Sequence, residues 1–112
     1  MRILYGVQGT GNGHISRARA IANHLNQAGI EVDYLFSGRA REDYFDMEAF
    51  GVWFCRSGLT FATVNGQISG LETFKKNNLK QLLHDIRTLD LSTYDLVITD
   101  FEPVSAWAAR LQ

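Results

Sequence analysis

Apolar residues along this chain follow two periods that alternate. Arg2-Ile3-Leu4-Tyr5-Gly6-Val7 is a short run of the kind carried by a strand buried on both faces, and Ile15, Ala18, Ile21, Ala22, Leu25 and Ala28 then recur at helical spacing. The helix is expected over residues 14–28, with Gly29 as its stop and Arg17, Asn23, Asn26 and Gln27 on the outer face. Ile30-Glu31-Val32-Asp33-Tyr34-Leu35-Phe36 reads as a second strand, so strand, right-handed crossover helix and parallel strand form a βαβ unit. Residues 42–50 predict a short helix turning Tyr44, Phe45, Met47 and Phe50 inward, and Gly51-Val52-Trp53-Phe54-Cys55 a third strand.

The alternation breaks after Cys55. Apolar segments on either side of Asn65-Gly66 predict a hairpin with a two-residue turn, readable as a loop excursion or as a substrate-facing flap. Ser69-Gly70-Leu71-Glu72 has the form of a capping box, from which a long helix is expected to run to Leu89. Its buried stripe would be Leu71, Phe74, Leu79, Leu82, Leu83, Ile86 and Leu89, with Lys75, Lys76, Lys80, Asp85 and Arg87 solvated. Tyr94-Asp95-Leu96-Val97-Ile98-Thr99 is the next strand, and Pro103 opens a last helix over 104–111. Such a helix ordinarily crosses to another parallel strand, and none is left to receive it. The expected fold class is α/β, a Rossmann-like parallel sheet of about four strands with helices on both faces and one edge short of a neighbour.

Composition narrows the classes without naming a function. The 112 residues are 46% hydrophobic and 21% charged with a net charge of -1, which fits one globular domain and gives no electrostatic case for nucleic acid. Arg17, Arg19, Arg39 and Arg41 are expected to form a local positive rim near the glycine loop. One cysteine, Cys55, excludes an internal disulfide, and His14, His24 and His84 have no metal-ligand spacing, so no metal is expected. No signal peptide or spanning segment is legible; a cytoplasmic location is expected, with loose membrane association left open.

Chemistry is concentrated between the first strand and the first helix, where Gly6, Gly9, Gly11 and Gly13 fall within eight positions. A strand, a glycine loop and a helix N-terminus in succession present backbone N–H groups and the positive end of the helix dipole, which suit a phosphate. Positive φ angles are expected at these glycines, and Thr10 and Ser16 either donate to the anion or simply pin the loop. Ligands of open α/β sheets bind outside the C-terminal strand ends, where His14, Asp100 and Glu102 fall. His14 is the candidate general base, since imidazole accepts a proton near neutral pH, unless it merely fixes the turn. Asp100 and Glu102 share a side if the chain stays extended through Phe101; otherwise they cap the helix at Pro103.

Gly9-Thr10-Gly11-Asn12-Gly13-His14-Ile15 resembles the glycine-rich loop of the MurG-like glycosyltransferases of the GT-B fold, with Asn12 as an added or substituted position. Residues 5–17 and 94–103 resemble a group of uncharacterised bacterial and archaeal members more closely. The resemblance implies transfer of a sugar from a nucleotide-diphosphate donor to an acceptor hydroxyl, without a further cofactor. It implies that Gly9, Thr10, Gly11, Asn12, Gly13 and Ser16 face the diphosphate, with His14 as a base or a phosphate contact and Asp100 or Glu102 as the competing catalytic base. It also implies a second, donor-binding domain, so residues 1–112 are expected to be the N-terminal, acceptor-side portion, inactive alone and able to self-associate through an open sheet edge. Ser16-Arg17 stands where MurG has a proline soon after the histidine, so a lipid-linked acceptor does not carry over.

Two alternatives share the topology. An NADP-binding oxidoreductase would use Ser37 and Arg39 for the phosphate, although His14 occupies the place of the third fingerprint glycine. A non-catalytic phosphate-binding module would need only the loop.

Overall fold

The computed structural model describes residues 1–60, 63–64, 67–68 and 78–112. The elements are β1 (Arg2–Gln8), α1 (Asn12–Gln27), β2 (Glu31–Ser37), β3 (Trp53–Arg56), β4 (Thr63–Val64), β5 (Gln67–Ile68), α2 (Leu79–Thr88), β6 (Leu96–Asp100) and α3 (Pro103–Leu111). β3, β2, β1 and β6 form one parallel sheet in that order. β1 pairs with β2 from Arg2↔Glu31 to Gln8↔Ser37 and with β6 from Ile3↔Leu96 to Val7↔Asp100. The strand order reverses at β1, whose C-terminal end therefore meets that of β6 at the switch point of the sheet.

Alternation along the central strands builds two cores. Tyr5, Val7, Tyr34 and Phe36 face α1 and pack with Ile15, Ala18 and Ala22. Leu4 and Leu35 point to the opposite face, where they meet Ile86, Leu91, Val104 and Ala108. Helices thus cover both faces, as strands apolar on both sides require. At the end of α1, Gly29 takes φ +73, the left-handed conformation that stops a helix.

Several expectations need correction. α1 begins two residues earlier than His14, and Ile21 is 36% exposed rather than part of the buried stripe. Residues 42–50 do not form one helix; they form two 3₁₀ turns, Arg41–Asp43 and Glu48–Phe50, separated by Asp46 at φ +54. That break leaves Tyr44, Met47 and Phe50 in the core and turns Phe45 outward. β4 and β5 pair antiparallel, Thr63↔Ile68 and Val64↔Gln67, as a hairpin does, while Asn65-Gly66 lies outside the described residues. The expected capping box and the first part of the long helix also lie outside them. α2 has its own start, since the Asn78 side chain accepts from the Gln81 amide at 3.2 Å. On α2, Leu79 and Leu83 are exposed and Asp85 is buried, because the helix packs through Leu82, Asp85 and Ile86. Gln81 Nε2 donates to Asp85 Oδ1 at 2.8 Å. Among the described residues, no helix is long and apolar enough to cross a membrane.

Candidate functional site

The loop after β1 is tied down from beneath. Gln8 is buried; its Nε2 donates to the Leu59 carbonyl at 3.2 Å, and its Oε1 accepts from the Thr10 amide at 3.0 Å and the Thr10 hydroxyl at 2.8 Å. The Gly9 amide donates to the Ser37 carbonyl at 2.7 Å. The loop glycines separate into two kinds. A Cβ on Gly6 would collide with Ser105, and one on Gly9 with the Tyr44 ring and hydroxyl, so packing requires both. Gly11 and Gly13 have nothing within 4 Å of where a Cβ would stand, and none of the four has positive φ. The expectation of left-handed glycines is therefore corrected. The two outer glycines leave bare backbone facing open space.

The N-cap of α1 is Gly11; among the described residues no side chain caps it, and its first turn holds no acidic residue. The amides of that turn and the positive end of the helix dipole stay available to an anion from outside. Asn12 and Ser16 lie exposed on this first stretch of helix, whereas Thr10 is drawn inward by Gln8.

His14 stands on the first turn of α1 and Asp100 ends β6, and the switch point brings them together: His14 Nδ1 lies 2.8 Å from Asp100 Oδ1. Arg17, one turn on, forms a fork on the same carboxylate, Nε to Oδ2 at 2.9 Å and Nη2 to Oδ1 at 3.0 Å. Arg17 Nη2 is also 3.0 Å from His14 Nδ1, but a guanidinium donates to the charged carboxylate in preference to an imidazole nitrogen. The short contact favours the tautomer in which Nδ1–H of His14 donates to Asp100, with the acceptor lone pair on Nε2. Phe101 stacks on the imidazole with centroids 5.9 Å apart and planes at 26°.

Phe101 also separates the two acidic candidates. Its φ of +56 is rare for a bulky residue and reverses the chain between Asp100 and Glu102. The expected extended path, with both carboxylates on one side, is thereby corrected. Glu102 is fully buried and is the N-cap of α3. Its Oε2 accepts from Ser37 Oγ at 2.6 Å and the Val104 amide at 2.7 Å, and its Oε1 from the Ser105 amide at 2.7 Å. Burial pushes its carboxyl above the ordinary value, against the lowering effect of the Ser37 hydroxyl and the two amides. Both oxygens are engaged and the side chain is buried, so of the three candidates only His14 and Asp100 meet at the strand ends.

His24 and His84 are exposed on helices away from this cluster, and Cys55 is a free thiol packed against the first core, raised in pKa by burial. Ser37 is fully buried and donates to Glu102, so it has no hydroxyl to offer an NADP phosphate. The positive rim divides: Arg17 serves Asp100, Arg39 reaches Asn12 Oδ1 at 2.9 Å, Arg19 holds the Asp46 carbonyl at 3.1 Å and Arg41 lies 4.2 Å over the Trp53 ring. Sequence reasoning found His14 and Asp100 separately and missed Arg17 as their partner. The His-x-x-Arg spacing, which puts 14 and 17 on one helix face, was the available signal.

No curated protein and no solved structure matches the chain. The sequence model of glycosyl transferase family 1 does, over residues 1–112, the whole of the loop, the helix and the strand that build this cluster. The chain therefore belongs to glycosyl transferase family 1.

Proposed function

We propose that this chain is the N-terminal, acceptor-side portion of a MurG-like glycosyltransferase, in which His14 is the base that deprotonates the acceptor hydroxyl. The observation that carries the reading is the 2.8 Å contact of His14 Nδ1 with Asp100 Oδ1 at the switch point of the sheet. Asp100, held by Arg17, engages Nδ1, which leaves Nε2 to serve as the proton acceptor. In an inverting transfer the acceptor oxygen bonds to the anomeric carbon as the bond from that carbon to the diphosphate oxygen breaks, and the hydroxyl proton passes to His14 Nε2. The leaving diphosphate of a nucleotide-sugar donor gathers charge, which the uncapped first turn of α1 and the bare backbone at Gly11 and Gly13 are suited to meet. Most donor contacts belong to a second domain, so residues 1–112 alone are expected to bind diphosphates and transfer no sugar.

An NMR titration tests this with inorganic diphosphate, UDP, UDP-glucose and NADPH in turn. The expected result is shifts at residues 9–14 from every diphosphate-bearing ligand, with no preference for the nicotinamide. Selective binding of NADPH with shifts at Arg39 would overturn it. The imidazole nitrogen spectrum gives a second reading on the same sample: His14 is expected as the Nδ1–H tautomer, and Asp100→Ala is expected to abolish that preference.

A further inference from the structure

The first two turns of α1 carry a second set of polar groups on the side away from His14. At about 100° per residue, Ile15, Ala18 and Ala22 form the buried stripe; His14 and Arg17 flank it on one side, and Asn12, Ser16 and Arg19 on the other. On that second flank α1 faces the segment between β2 and β3. A cavity of about 250 Å³ lies there, lined by Asn12, Ile15, Ser16, Arg19, Arg39 and Phe45.

Two features of its wall bear on a ligand. Arg19 and Arg39 have no carboxylate within 4.0 Å among the described residues, and every hydrogen bond they donate goes to a neutral oxygen. Arg19 Nε holds the Asp46 carbonyl at 3.1 Å. Arg39 holds Asn12 Oδ1 at 2.9 Å and the Thr10 carbonyl at 3.3 Å, and its guanidinium lies 5.3 Å from the Tyr44 ring centroid. Both are held by neutral acceptors, with no carboxylate against their charge among the described residues. The second feature is Phe45, 57% exposed in a segment whose other aromatic residues are in the core. An exposed ring beside fixed guanidiniums and the Ser16 hydroxyl offers a flat apolar face, a positive field and hydrogen-bond donors at one place.

We propose that this cavity binds an anionic sugar, a pyranose carrying a carboxylate or a phosphate, with its ring on Phe45 and its anion between Arg19 and Arg39. Its role as the acceptor subsite rests on the glycosyltransferase reading; the binding does not. The space is too large for a bare anion, and a pyranose-sized ligand fits the stated volume.

The test is an NMR titration of the 112-residue chain with glucuronate, glucose 6-phosphate, neutral glucose and inorganic phosphate. The expected result is shifts centred on Asn12, Ser16, Arg19, Arg39 and Phe45 for one or both anionic sugars. Affinity for these is expected to be at least about tenfold above that for glucose or inorganic phosphate. The stronger of the two anionic sugars identifies carboxylate or phosphate as the recognised group. Arg19→Gln and Arg39→Gln are each expected to weaken that binding about tenfold, and Phe45→Ala, on an exposed side chain that the core does not need, to weaken it without altering the amide spectrum of β1 and β2. Binding of glucose as strong as that of the anionic sugars, shifts centred on His14 and Arg17, or unchanged affinity in Phe45→Ala and both arginine variants would overturn the proposal. Anionic-sugar binding here with selective NADPH binding at the loop would leave this cavity standing and remove the sugar-transfer reading. Diphosphate binding at the loop with none here would do the reverse.

Discussion

Two helices start at the same rim of the sheet, each just after a parallel strand, and the chain treats them in opposite ways. Where β6 passes into α3, Glu102 folds back under the helix and its carboxylate accepts from two first-turn amides and from Ser37. Where β1 passes into α1, there is no capping side chain, no acidic residue in the first turn and two glycines facing empty space. One junction carries its own carboxyl acceptor, sealed from water; the other presents its first-turn amides at the surface with no such acceptor among the described residues. A helix end with its anion built in is architecture, whereas one without is suited to a visitor. The two lie close enough to share a wall, since Gly6 on β1 packs directly on Ser105 and Glu102.

The contrast is broken most severely at Glu102. Glu102→Ala is expected to cost about 3 kcal/mol, because the cap is lost and Ser37 Oγ and two amides are left buried without an acceptor. Urea denaturation measures it, and a loss below about 1 kcal/mol would mean that water replaces the carboxylate. Gly6→Ala forces a methyl group into Ser105 and is expected to cost about 2 kcal/mol in the same assay. The third effect is smaller and depends on pH. Folded Glu102 holds its proton to a higher pH than the unfolded chain does. Its contribution to stability is therefore complete below the ordinary value of 4.5 and declines as pH rises through the raised folded value. The wild-type stability curve should fall more steeply across that window than the curve of Glu102→Gln; parallel curves would refute the shift. The smallest change makes the open junction resemble the closed one. Gly11→Asp, at φ -115 with room for a side chain, is expected to add about 0.5 kcal/mol of stability as an N-cap while weakening inorganic diphosphate binding at least tenfold.

The regular elements were legible where burial left one reading. β1 and β2 carry short apolar runs that end buried, α1 shows a helical period closed by Gly29, and Pro103 sits at the first position of α3. Residues 42–50 were misread because Tyr44, Met47 and Phe50 are spaced three apart, which suits successive tight turns as well as an α-helix. The deciding residue, Asp46, breaks the helix by a positive φ that aspartate tolerates but does not announce. Asp85 was misread because its burial follows from how α2 lies on the sheet, not from its polarity. At the site, His14 and Asp100 could be named from strand ends, but their meeting depends on β6 returning to the far side of β1. The division of labour between Asp100 and Glu102 was hidden in the left-handed turn at Phe101, where no glycine marks it.

His14 and Asp100 are 86 residues apart along the chain and adjacent only because β6 docks on β1. The pair therefore forms only when β6 has docked, and no shorter stretch of chain can assemble it. It also makes the dyad a clasp on an edge strand. A ligand engaging both residues would hold β6 against β1 and slow hydrogen exchange at the β6 amides, including those that no ligand touches.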